Sequence, residues 1–257
     1  MTDGVTAELA LLEAAARAAG RAALGFWRRD PDATHKPDGQ GPVSEADYAS
    51  DAVLRRMLAD AHPSHGWLSE ESAGDPSGWA TGRAFVVDPI DGTRAFLDGS
   101  KDWAVSVAMI EDGRPLAAVV HLPARAETYA AALGHGATLD GAPIRCSART
   151  DLAGARVLAN KPSLDPAHWP RGVPPVERRF RSSLAWRLCL AASGRYDAML
   201  TLRDAWSWDI AAGALIAAEA GCTVTDRAGR PLDFRPDPPQ TPGCVVAPPA
   251  LHGKLIP

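Results

Sequence analysis

The chain is predicted to be an α+β protein built as two tightly joined lobes, and three features predict it. An Ala-rich segment with helical spacing opens the sequence, an antiparallel meander fills residues 103–139, and strands alternate with helices from Arg156 onward. At 257 residues the chain exceeds the usual single-domain size but stays within the reach of one layered unit. No linker is long enough to free two separate domains, so the expected division lies within a continuous body, residues 1–145 and 146–257.

Over residues 5–28, Val5, Leu9, Leu12 and Ala16 recur at helical spacing. Pro31, Pro37, Gly39, Gly41 and Pro42 then predict a loop without regular structure. A second helix begins at Ser44, with Val53, Leu54, Met57, Leu58 and Ala61 on one face and His62-Pro63 as its stop. The short apolar run from Gly66 ends in Glu70 and Glu71; adjacent strand residues point to opposite faces, so only one of the two could face a shared site. Phe85-Val86-Val87 is a strand running into a tight turn, and residues 94–97 form a short helix after it. The meander takes Val105, Val107 and Met109, turns at Glu111-Asp112-Gly113, continues over 116–122, 128–132 and 137–139, and ends in Asp140-Gly141. Beyond it come a strand at 156–159, an irregular Pro-rich connector at 161–175, a helix at 184–193 stopped by Gly194, and a strand at 196–201. Trp208-Asp209 opens an Ala-rich helix to Ala220, followed by a strand at 222–225.

Composition narrows the function classes. Hydrophobic residues make up 46% and charged residues 23%, as in an ordinary soluble globular protein. A net charge of −4 argues against a nucleic-acid polymer as partner, since phosphate-backbone binding needs clustered positive charge. Cys146, Cys189, Cys222 and Cys244 lack zinc-ligand spacing and are expected to be reduced thiols. Glu8, Glu13 and Arg17 interrupt the N-terminal apolar run, no stretch approaches the ~20 residues that span a bilayer, and a cytoplasmic protein without a membrane partner is expected.

The chemistry concentrates in Asp88-Pro89-Ile90-Asp91-Gly92-Thr93. Two carboxylates three residues apart at a strand end converge only if a cation or a proton separates them, which points to a metal site. Gly92 and Thr93, at the start of a helix, offer free N–H groups to an anion such as phosphate. Asp47 has a local explanation as well, because Ser44-x-x-Asp47 resembles a capping box.

Glu70-Glu71, Asp88-Pro89-Ile90-Asp91-Gly92-Thr93 and Trp208-Asp209-Ile210-Ala211-Ala212-Gly213 together resemble, in order and spacing, the signatures of the inositol monophosphatase superfamily. The resemblance runs from the first helix to about Ala247. It implies a layered αβαβα sandwich and a metal-dependent, often lithium-inhibited phosphomonoesterase, with a homodimer as the common assembly. It gives Glu70, Asp88 and the Ile90 carbonyl to a first Mg²⁺, and Asp88, Asp91 and Asp209 to a second. The all-oxygen donor set by itself favours Mg²⁺ or Mn²⁺ over zinc. Glu70 and Thr93, the latter linked to Asp47, would orient the attacking water, and Asp91, Gly92 and Thr93 would bind the phosphate.

For the substrate, a small phosphorylated metabolite, the resemblance divides. The inositol branch carries an acid seven positions before the Trp-Asp aspartate, where this chain has Leu202. The segment 88–106, with Arg94, Phe96 and Trp103, looks more similar to the 3'(2'),5'-bisphosphate nucleotidase branch, with inositol 1-phosphate and histidinol phosphate as alternatives. Arg178, Arg179, Arg181 and Arg203 are candidates for a second phosphate, and Trp186 or Trp206 for a base. Ser183 and Ala185 match a substrate-lining segment of the family. A haloacid-dehalogenase phosphatase is excluded because Pro89 stands where its Asp-x-Asp would begin. A catalytically silent metal- or nucleotide-binding regulator is the alternative from another class, against which the complete ligand set argues.

Overall fold

Apolar side chains placed every second residue on strands and every third or fourth on helices create faces that must be covered, and this fold covers them by stacking. The computed structural model describes residues 2–29, 31–35, 41–71 and 82–257. Its first part runs α1 (Thr2–Leu24), β1 (Ala33–His35), β2 (Pro42–Ser44), α2 (Glu45–Ala61), β3 (Gly66–Ser69), β4 (Arg83–Asp91), α3 (Thr93–Leu97), β5 (Ala104–Glu111), β6 (Arg114–Leu122), β7 (Glu127–Ala132), β8 (Ala137–Leu139) and β9 (Ala142–Pro143). The second part runs β10 (Arg156–Leu158), β11 (Glu177–Arg179), α4 (Leu184–Ala192), β12 (Ala198–Thr201), β13 (Ala205–Trp206), α5 (Ser207–Glu219), β14 (Thr223–Thr225), β15 (Gln240–Thr241), β16 (Cys244–Ala247) and α6 (Pro249–His252).

Strands β3 to β9 lie in sequence order in one seven-stranded sheet, parallel at β3–β4 and antiparallel thereafter. On one face Phe85, Val87, Val105, Val107 and Val119 pack against Leu12, Ala15, Ala16 and Ala19 of α1 and Leu54 and Leu58 of α2. The alternate residues, Ala84, Val86, Ala108, Ala118 and Val120, join a core with Leu184 and Leu188 of α4 and Ile210 and Leu215 of α5. Met199, Cys244 and Val246 of a five-stranded sheet, ordered β11-β10-β12-β16-β14, close that core from the other side. Val157, Ala198, Leu200 and Val245 on its outer face pack with Trp169, Leu251 and Leu255. The layers are therefore αβαβα, the expected architecture.

Helix α5 lies between two sheets, which accounts for a sequence that is apolar on every side. Gly213 sits where α5 meets α4: a Cβ there would lie 2.7 Å from Leu188 Cβ and 3.2 Å from the Ala185 carbonyl oxygen. The two helices that bring Ala185 and Asp209 to the candidate site are thus held at glycine distance.

The structure departs from the expected pattern in several places. Residues 33–35 are not irregular but pair antiparallel with 42–44, because an exposed two-strand ladder tolerates Pro42 at a strand start, where its missing N–H costs nothing. Residues 36–40 of the expected loop lie outside the described residues. Strands β11 and β16 add to the pattern, β16 pairing with both β12 and β14.

Gly213→Ala tests the helix contact. It should destabilise the protein by about 1–3 kcal/mol through overpacking, despite the ~1 kcal/mol that alanine gains over glycine in a helix. The urea unfolding midpoint measures it, and an unchanged midpoint would show that the α4–α5 contact yields freely.

Candidate active site

Strand β4 does not stop at Asp88. It pairs with β5 at Asp88↔Ser106, shifts register, and resumes at Asp91↔Ala104, so that Pro89 and Ile90 together oppose Val105. The expected tight turn is thus a bulge within a continuing strand, where a proline without an N–H is tolerated. Asp88 Oδ1 accepts the Ile90 N–H at 2.9 Å and the Ser50 hydroxyl donates to the Pro89 carbonyl at 3.1 Å, which fix the bulge from within and from α2. Gly92 follows with φ +99°, and a side chain there would approach the Asp102 carbonyl oxygen to 3.0 Å. Both its left-handed backbone and the close approach require glycine.

Three carboxylates from distant segments meet beside this bulge. Glu70 leaves β3 with its N–H donating to the Val87 carbonyl at 3.3 Å. Asp209 occupies the first turn of α5, anchored because the Ser106 hydroxyl donates to the Trp208 carbonyl at 3.0 Å, and Ser106 pairs opposite Asp88. Glu70, Asp88 and Asp209 each offer an oxygen within 4.8 Å of the others. Glu71 is not among the three, as the strand geometry requires.

Burial, and then the neighbouring charges of Glu70, Asp91 and Asp209, push the Asp88 carboxyl well above the usual range. Burial, Asp91 and Glu70 do the same to Asp209, opposed by Arg203 and Arg187. Converging acids that resist ionising together, with oxygen as the only donor type, fit a divalent cation of the hard class.

Asp91 is held differently. Its Oδ2 accepts the Ser183 hydroxyl at 2.5 Å and the Ala185 N–H at 2.6 Å, and it is not one of the three acids above. Burial raises its pKa, while these hydrogen bonds and Arg187 act to lower it. The structure therefore places Ser183 and Ala185, both buried, directly behind Asp91. Thr93 has one hydroxyl proton and two acceptors in reach, the Ile90 carbonyl at 3.1 Å and Asp47 Oδ1 at 3.3 Å. Asp47 also accepts the Ser44 N–H at 2.8 Å and the Ser44 hydroxyl at 2.7 Å through Oδ2, so it caps α2 and reaches Thr93 at once.

The candidate substrate wall divides. Arg203 is exposed and its charge acts on Asp209. Leu202 packs in the outer core of the five-stranded sheet. Arg178 donates to the Ala159 carbonyl, Arg179 pairs with Glu177, and Arg181 reaches Tyr196 and Asp102. Trp186 is buried with guanidinium groups of Arg125 and Arg181 at 4.3 and 5.8 Å from its ring, while Trp206 stacks on Trp208 at 4.8 Å. The sequence reading missed Arg187, a buried guanidinium whose charge acts on Asp91 and Asp209; its signal was one charge four residues beyond Ser183 in an otherwise apolar helix.

A model of the inositol monophosphatase family matches residues 6–257. The chain belongs to that family. It is 36% identical to an inositol-1-monophosphatase of Rhizobium meliloti, over 74% of this chain and 75% of the relative. It is 32% identical to a histidinol-phosphatase of Chlorobaculum parvum, over 88% of each. The extragenic suppressor protein suhB of Bartonella henselae superposes with a TM-score of 0.82 at 29% identity, covering 97% of this chain and 96% of that one. As a member of the inositol monophosphatase family the protein is a hydrolase of phosphate monoesters. No helix among the described residues is long and apolar enough to cross a membrane.

The raised carboxyls give a pH-dependent expectation. A group whose folded pKa is raised stabilises the fold below its ordinary pKa, ~4 for Asp, and loses that contribution as pH rises through the raised value. Charged Asp88 and Asp209 should therefore cost stability near neutral pH, and a bound cation should offset the cost. Added Mg²⁺ should raise the thermal midpoint more at about pH 8 than at about pH 5.5. Equal shifts at both values, measured by calorimetry, would refute this electrostatic account.

Proposed function

We propose that the protein hydrolyses the phosphate monoester of a small metabolite by direct water attack, with Mg²⁺ or Mn²⁺ held by Glu70, Asp88 and the Ile90 carbonyl and a second ion by Asp88, Asp91 and Asp209. The observation that carries this reading is the convergence of Glu70, Asp88 and Asp209, with the Thr93 hydroxyl on the carbonyl of Ile90, whose N–H donates to Asp88. Bound divalent cations would supply Lewis-acid polarisation of the phosphoryl group and a more acidic water. Thr93 turns its proton towards Asp47 or the Ile90 carbonyl, which leaves its lone pairs to accept a hydrogen bond from the attacking water. Glu70, one of the converging acids, takes up the proton that the water releases. The Gly92 and Thr93 N–H groups hold phosphate oxygens. No covalent phosphoenzyme forms, because no nucleophilic side chain is required.

The names of the relatives support inositol 1-phosphate or histidinol phosphate as substrates. The nucleotide-bisphosphate alternative rests on the resemblance of residues 88–106 and on Arg203. The purified protein with Mg²⁺ should hydrolyse at least one of inositol 1-phosphate, histidinol phosphate, adenosine 3',5'-bisphosphate and fructose 1,6-bisphosphate, with lithium as inhibitor. Inactivity on all four would remove the proposal.

Two variants test the roles. Asp88→Asn should lower kcat by roughly a thousandfold, because it removes an acid assigned to both ions. Thr93→Val, which keeps the shape and loses the hydroxyl, should lower kcat by roughly a hundredfold with little change in KM. Full activity in Asp88→Asn would refute the two-ion assignment, and a pure KM effect in Thr93→Val would move Thr93 from water orientation to substrate binding.

A further inference from the structure

The buried residues of α2 are Ala46, Asp47, Ser50, Asp51, Leu54 and Leu58. Leu54 and Leu58 pack in the core above the sheet, as the apolar stripe of a helix should. The polar residues that precede them on the helix reach the segments around the acids instead: Asp47 reaches Thr93, and Ser50 reaches the Pro89 carbonyl. Asp51 accepts the Ser69 hydroxyl at 2.5 Å, and neither the sequence motifs nor the proposed reaction uses it. Packing does not explain an acid at this position. Asp47 and Asp51 are 1% and 7% exposed, and like charges four residues apart on a helix repel each other.

Ser69 supplies the reason. It is the last residue of β3, wholly buried, and stands directly before Glu70. Its hydroxyl gives its single proton to Asp51, and its oxygen accepts the Glu71 N–H at 3.2 Å. The Glu70 N–H donates to the Val87 carbonyl at 3.3 Å, so the backbone is tied on both sides of the Glu70 side chain. Alternation along β3 then sets its direction. Trp67 packs on the α1–α2 side of the sheet and Leu68 on the α4–α5 side, so Ser69 faces α2 and Glu70 faces the side from which α5 brings Asp209. Removing the acceptor at Asp51 frees the Ser69 hydroxyl to turn away from the Glu71 N–H and loosens the chain at the residue that carries Glu70.

We propose that Asp51 is a positioning residue for Glu70: through Ser69 it clamps the end of β3 from the α2 side of the sheet and so holds the Glu70 carboxylate towards Asp88 and Asp209. The proposal rests on the reading that gives Glu70 to a divalent cation, and it adds a residue that touches neither the cation nor the substrate. Groups that orient a metal ligand from behind typically cost about 10–100-fold in metal affinity or activity when removed.

The test titrates Mn²⁺ into the metal-free protein and follows the free ion by electron paramagnetic resonance, a readout independent of turnover. Asp51→Ala and Ser69→Ala should each weaken the binding of one Mn²⁺ ion by about tenfold. At saturating Mg²⁺ each should also lower kcat by about tenfold with KM little changed, because the water and its proton acceptor are misplaced while the phosphate contacts remain. In a Glu70→Ala background neither substitution should weaken Mn²⁺ further, since the residue through which both act is gone. Ser69→Ala removes a single oxygen atom, so it keeps the test alive if Asp51→Ala does not fold. Unchanged Mn²⁺ affinity in the single variants would overturn the proposal, and so would the same tenfold loss on top of Glu70→Ala, which would make Asp51 and Ser69 general supports of the fold. A wild type that binds no Mn²⁺ would remove the metal reading and this proposal with it, whereas a wild type that binds the ion as tightly as its variants would remove the proposal alone.

Discussion

Carboxylates that meet away from water repel each other and resist ionising, and the central part of this structure is arranged around that cost. Asp88 is almost wholly buried, with Glu70, Asp91 and Asp209 all adding to its resistance to ionisation. A fold that only needed a stable interior would have placed an apolar residue there, as it does at Val86 and Val87 one and two positions earlier. The acids are kept together at a cost that only a cation or a proton removes, which is why their arrangement carries functional meaning.

Bringing them together takes most of the architecture. Glu70 reaches the site because β3 lies parallel to β4 and ends one residue short of the bulge. Asp209 reaches it because α5 lies under the same sheet and is tied at its first turn to Ser106. The bulge at Pro89-Ile90 shifts the register of β4, so that Asp91, still paired opposite Ala104, meets the N-terminus of α4. Gly213 lets α5, which carries Asp209, approach α4, whose Ala185 N–H holds Asp91. The glycine and the acids thus belong to one requirement, although they are far apart in the sequence.

Much of this was legible before the structure. The meander was readable because each of its turns carries a local signal, as at Asp112-Gly113 and Asp140-Gly141, and the acid cluster was readable because acids at a strand end have few bland explanations. Side-chain destinations across long distances were not. The Ser183 hydroxyl bonds to an acid 92 residues away, and nothing near Ser183 distinguishes that role from ordinary capping of α4. Arg187 went unread as the one charge in an otherwise apolar helix, since a charge reveals its purpose only when the groups opposite it are known. Residues 33–35 were misread because prolines and glycines around them outweighed a three-residue pairing that depends on a strand seven residues later.

Thr93 shows how capping and chemistry are joined in one network. Its hydroxyl has a single proton and two acceptors in reach, the Ile90 carbonyl and Asp47. Whichever one takes the proton, the oxygen keeps lone pairs for a further donor, the capacity that the proposed orientation of a water uses. Asp47 can hold that direction only if its own orientation is fixed. The two hydrogen bonds from Ser44 fix it, and those same bonds close the first turn of α2. The helix cap is therefore part of the positioning of Thr93, and the capping role of Asp47 and its proposed functional role, which compete when the sequence is read alone, draw on one set of three hydrogen bonds.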